Sequence, residues 1–143
     1  MLAPWLVATC LAGPAAAAEP VRDLMIVPGE RVGPISLGMN AAALAQIVGP
    51  QAPLWQGGDT IYSFGQIAAE IGDKSPGVDT ITVNDPRYET ESHIRVGLAP
   101  FVAERVLGQP AKKTTASGLD TIDYEGISLV VRNNIVVQIR IHK

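Results

Sequence analysis

The sequence predicts an α+β fold: a tandem α-β-β-β repeat whose two helices pack on one face of an antiparallel sheet. Three observations predict it. A segment recurs along the chain, each copy carries a short amphipathic helix with a defined stop, and three β-type runs follow each helix. Ile35-Ser36-Leu37-Gly38-Met39 matches Ile94-Arg95-Val96-Gly97-Leu98, and in step with them Leu44, Ile47, Val48 and Gly49 fall on Ala103, Val106, Leu107 and Gly108. Asp59-Thr60-Ile61 and Gly65 recur as Asp120-Thr121-Ile122 and Gly126, slightly out of step, as an indel in a connecting loop would produce. Agreement in the same order along the chain reads as duplication. The expected organisation is one domain over residues 19–143, built from repeats at about 24–84 and 92–143.

Residues 1–18 stand apart. Met1 to Ala18 has no charged side chain and ends in Ala15-Ala16-Ala17-Ala18, whereas charges begin at Glu19, Arg22 and Asp23. An apolar run into a small-residue Ala-x-Ala site reads as a secretory signal peptide cut after Ala18. Pro4, Gly13 and Pro14 interrupt it, and it falls short of the ~20 residues a membrane span needs. The protein is therefore expected to be periplasmic or secreted. Cys10, the only cysteine, closes Val7-Ala8-Thr9-Cys10, a faint likeness of a lipoprotein motif in which Thr9 is a poor residue before the modified position. After cleavage no cysteine remains, so packing and not disulfides must hold the fold.

Each repeat can be justified from its residues. Asn40 is a suitable N-cap for a helix over 41–48, since its side-chain oxygen can accept from the first-turn amides. Leu44, Ile47 and Val48 share a helical face, and Gly49 followed by Pro50 stops it. In the second copy Pro100 sits where its missing N–H costs nothing. Phe101, Ala103, Val106 and Leu107 follow, and Gly108 with Pro110 ends the helix. The β-type runs are 60–64, 67–71 and 78–83, then 121–124, 127–131 and 135–141. Gly65, Gly126 and Asn133-Asn134 supply the tight turns, because Gly and Asn tolerate positive φ.

Composition narrows the function. With 143 residues, 11 Lys+Arg against 14 Asp+Glu and 5% aromatic residues, the chain lacks both the basic footprint and the stacking platform of a nucleic-acid binder. It contains no G-x-S-x-G, H-E-x-x-H, Walker loop or spaced Cys/His set. No catalytic residue, cofactor or metal is assigned, and the protein is expected not to be an enzyme. The segment Asp85-Pro86-Arg87-Tyr88-Glu89-Thr90-Glu91-Ser92-His93 offers one alternative. If Glu89 to His93 is extended, Glu89, Glu91 and His93 share a face and could hold a small ligand or a divalent metal; the plainer reading is a charged linker between the repeats. Lys112-Lys113 reads as a solvated loop after the second helix.

The sheet face away from the helices is the stronger candidate. Pairing Ile61 with Ile122 as buried residues turns Tyr62, Phe64, Asp123 and Glu125 outward. Pairing Ile81 and Val83 with Ile139 and Ile141 turns Thr80, Thr82, Gln138, Arg140 and His142 outward. Trp55 lies just before the aromatic strand. Trp55, Tyr62, Phe64 and Arg140 are the expected partner-binding residues, since aromatics and Arg dominate binding hot spots. The opposite phase, with Tyr62 and Phe64 in the core, competes with this reading, and Tyr124 sits on it. A slip of one residue inverts every side chain.

Val32-Gly33-Pro34-Ile35-Ser36-Leu37-Gly38-Met39 with Val48-Gly49-Pro50 resembles a pattern of the SmpA/OmlA group of outer-membrane assembly lipoproteins. The doubled α-β-β-β layout is also similar to the β-lactamase inhibitor protein family, whose sheet grips a partner. The resemblance implies a two-layer fold and an exported protein that binds an envelope or extracellular protein as inhibitor, adaptor or assembly factor. The disulfides of the inhibitor family have no counterpart here, because no cysteine follows Cys10.

Overall fold

The structure is a computed structural model that describes residues 23–49 and 53–143. The predicted signal peptide over 1–18, Cys10 and Pro50 lie outside the described residues. The fold is mixed α+β and mostly sheet. It opens with three short strands, β1 (Met25–Val27), β2 (Arg31–Val32) and β3 (Ile35–Ser36), followed by helix α1 (Ala41–Val48). Four strands come next: β4 (Leu54–Gln56), β5 (Asp59–Phe64), β6 (Ile67–Ile71) and β7 (Thr80–Val83). After β8 (Glu89–Thr90) and helix α2 (Pro100–Leu107), the chain ends in β9 (Lys112–Ala116), β10 (Leu119–Tyr124), β11 (Ile127–Arg132) and β12 (Ile135–His142).

An eight-stranded antiparallel sheet has the order β4-β5-β6-β7-β12-β11-β10-β9. A small second sheet, β3-β2-β1-β8, pairs β1 in parallel with β8. The second sheet departs from the expected single sheet. Its strands are two or three residues long, too short for an alternation to show in the sequence.

Both helices end where their residues dictate. The Asn40 side chain accepts from Ala43 N at 2.8 Å, and Gly49 at φ 80° sends its N–H to the Ala45 carbonyl. Pro100 opens α2, and Gly108 at φ 81° donates to the Glu104 carbonyl. Leu44 and Val48 of α1 and Ala103 of α2 join a single buried cluster with Ile67, Ala69, Ile81, Val83, Leu129, Ile139 and Ile141 of the large sheet. Both helices therefore cover the same sheet face.

The outermost strands β4 and β9 were not expected. Lys112 and Lys113 pair with Asp123 and Ile122 of β10 and so belong to a strand and not to a loop, and all five residues of β9 are exposed. An edge strand with both faces in water has no apolar alternation to betray it, and lysine is a residue that keeps such edges from pairing further.

Strand phase is the main correction. Tyr62 pairs with Ala69 and Phe64 with Ile67, and directly paired residues share a face. Tyr62 and Phe64 are half-buried against the core, on the helix side, and Ile61 turns outward beside Glu70. In the second half Ile122 pairs with Leu129 and is buried as expected. The physical reason lies in the hairpins. Gly65, at φ 61°, is the first of two loop residues between Phe64 and Ile67. Gly126, at φ 76°, is the second of two between Tyr124 and Ile127. Matching the two glycines shifts one strand by a residue; in the folded chain Tyr62 corresponds to Ile122 and Phe64 to Tyr124.

Candidate functional site

Alternation and register define the face that neither α1 nor α2 covers. One row across it runs Ile61, Glu70, Thr80, His142, and a second runs Asp123, Ser128, Arg140, Thr82. Short Thr and Ser side chains between longer ones leave a shallow concavity of about 800 Å³. Val130 is buried between its paired neighbours Thr121 and Gln138, and it is not part of the core cluster.

Hydrogen bonds order the polar side chains. Ser128 Oγ donates to Asp123 Oδ1 at 2.6 Å and lies 2.8 Å from His142 Nε2. His142 Nδ1 lies 3.1 Å from the backbone oxygen of Lys143. The order matters for chemistry. In a nucleophilic relay the histidine stands between serine and acid, whereas here Ser128 stands between Asp123 and His142 and directs its proton to the carboxylate.

A second chain runs along the same face. Gln138 Nε2 donates to Asn84 Oδ1 at 3.1 Å, and Arg140 Nε donates to Gln138 Oε1 at 3.0 Å. At the far corner, burial first and then the neighbouring Asp59 and Asp79 hold Glu70 above the usual carboxylate range, with Arg140 pulling the other way. Asp59 and Asp79 are themselves anchored by the amides of Asp73 and Gly72.

The expected binding residues divide between the two faces. Arg140 lies on the open face. Trp55 is 72% exposed, but it pairs with Thr60 on the helix side of edge strand β4. Tyr62 and Phe64 also face the helices. The apolar side chains that do border the open face are Ile61 and its partner Leu54, which is 62% exposed. Glu125 belongs to the β10–β11 turn, outside the strand face. The sequence reading overlooked Ser128, and only its place between two strands of known register would have revealed it.

The alternative site does not assemble as expected. The strand β8 ends at Thr90, and a turn follows in which His93 N donates to the Thr90 carbonyl and His93 takes φ 68°. Strand alternation therefore does not align Glu89, Glu91 and His93. His93 Nδ1 folds back to within 3.1 Å of Glu89 Oε1, and Arg95 approaches the same carboxylate at 3.8 Å. Among the described residues no group of three His, Cys, Asp or Glu side chains is placed to hold a metal ion. No helix among them is long and apolar enough to cross a membrane.

No family model, no curated protein and no solved structure matches this chain.

Proposed function

We propose that this protein is an exported, non-enzymatic binding module that recognises an envelope or extracellular protein through the open face of its large sheet. The observation that carries the reading is that one face of an eight-stranded sheet bears ordered polar side chains around a shallow concavity and is covered by neither α1 nor α2. Eight strands spaced ~4.8 Å apart span roughly 34 Å, a width compatible with the ~800 Å² each partner contributes to a standard interface. The inverted order Asp123–Ser128–His142 supports a positioning network over a nucleophile. An apolar leader over Met1 to Ala18 supports export.

The two halves of the large sheet, each a helix followed by four strands and joined at β7 and β12, support an origin by tandem duplication. That layout, with the Gly-Met and Val-Gly-Pro segments, agrees with the resemblance to the SmpA/OmlA and β-lactamase inhibitor protein groups. An inhibitor, adaptor or assembly role is proposed on that likeness by fold-level analogy alone.

The test is capture of a partner from host envelope extract with tagged wild type, Thr82→Trp and Trp55→Ser. Thr82→Trp fills the concavity without touching the core. A partner identified by mass spectrometry with wild type and Trp55→Ser, and lost with Thr82→Trp, is the expected result. Capture that survives Thr82→Trp and fails with Trp55→Ser would move the interface to the helix side.

A further inference from the structure

We propose that the open face receives a single carboxylate of the partner, from an aspartate or glutamate side chain, on the guanidinium of Arg140. This inference rests on the protein-binding reading above and names its central contact. Arg140 stands on β12, near the middle of the sheet, with Thr82 opposite it on one side and Ser128 on the other. Its Nε is held by Gln138, which is in turn held by Asn84. That relay fixes one edge of the planar group. Both Nη atoms are left without a hydrogen bond or an ion pair among the described residues. Two parallel N–H groups on a fixed plane match a carboxylate in bidentate geometry, and a lysine at the same place would not.

The carboxylates already on this face leave the guanidinium unpaired. Asp123 accepts the Ser128 hydroxyl. Glu70 forms no hydrogen bond or ion pair with Arg140 among the described residues. Thr82 and Ser128 are short, so the space above the guanidinium is free for an incoming side chain. Charge decides between a carboxylate and a phosphate. Around the concavity Arg140 and Lys112 are opposed by Glu70 and Asp123. The surplus positive charge that a doubly charged phosphate requires is missing, whereas one carboxylate matches one guanidinium fork.

The experiment pans a heptapeptide display library against the folded protein and measures the affinities of enriched peptides for wild type, Arg140→Gln, Arg140→Lys and Thr82→Trp. Enriched peptides should carry Asp or Glu at a constant position. Replacing that residue by its amide, or Arg140 by Gln, should weaken binding at least tenfold, and Arg140→Lys should recover only part of the loss. Inorganic phosphate at 10 mM should leave binding unchanged. Peptides without an acidic residue, indifference to Arg140→Gln, or displacement by phosphate would overturn the proposal. Binding that is lost in Thr82→Trp but kept in Arg140→Gln would refute the carboxylate and retain the face. Binding that is insensitive to both would count against the face as well.

Discussion

Tyr62 lies directly opposite Ala69 across β5 and β6, and Ala69 is fully buried. The pairing turns the tyrosine ring toward the helices. Tyr62→Ser is therefore expected to cost about 2–3 kcal/mol, somewhat below the ~3–5 kcal/mol of a fully buried aromatic. Thr82→Ser, on the other face, should stay within ~0.5 kcal/mol of wild type. Urea unfolding of both variants checks the strand phase, and equal midpoints would contradict it.

That phase shows where the sequence was legible. Both helices could be read because their ends are chemical: Asn40 caps one, Pro100 opens the other, and Gly49 and Gly108 close them. The inner strands β6, β7, β11 and β12 carry apolar residues dense enough to announce themselves. Strand β5 was misread because Gly65 and Gly126 occupy different loop positions, a difference of turn geometry that residue identity does not encode. Of the candidate site, Thr80, Thr82, Gln138, Arg140 and His142 were placed on the open face from alternation alone. Ser128 was missed because it lies in a run, Ile127 to Val131, that is buried throughout, where alternation between faces leaves no trace.

Ser128 joins the carboxylate of Asp123 to the imidazole of His142 from a buried position. Ser128→Ala leaves both neighbours without their shared partner. The expected loss is about 1–2 kcal/mol, read as a lower urea midpoint with an unchanged slope. An unaltered midpoint would show that the network contributes nothing to stability.

Gly126 at φ 76° meets the β1–β2 turn at close range. A Cβ there would stand 2.7 Å from Gly29 N and 2.9 Å from Gly29 Cα, both backbone atoms that cannot move aside. Gly126→Ala combines that clash with an unfavourable φ, and should destabilise by more than ~1 kcal/mol. Gly118→Ala, at φ 76° in open space, isolates the conformational part of the cost. Equal losses in the two variants would contradict the close approach.

Acid stability turns on Asp85. Hydrogen bonds from the Arg87 side chain, foremost, and from its backbone N–H hold this buried carboxyl below the usual range, against the opposite push of burial. A depressed folded value means that the stabilisation is complete above the unfolded carboxylate range and is lost as pH falls through the folded value. Asp85→Asn should melt lower than wild type at pH 7 and show a shallower decline below pH 4. Parallel acid limbs for the two proteins would contradict the pairing.

Glu70 behaves in the opposite sense. Its folded value is raised, so the folded chain keeps the proton to higher pH than the unfolded one, and the associated stability is lost as pH rises through that value. Glu70→Gln should therefore raise the melting temperature at pH 7 and leave it nearly unchanged at pH 3. A lower melting temperature at pH 7 would mean that the attraction of Arg140 outweighs burial and the acidic neighbours.

The open face itself is tested most directly by covalent capture in the host envelope. A maleimide-benzophenone photo-crosslinker is attached to Thr82→Cys or to Trp55→Cys and then irradiated. The face assignment predicts a discrete adduct from position 82 and none from position 55. An adduct from position 55 alone would contradict it and place the partner on the helix side of β4.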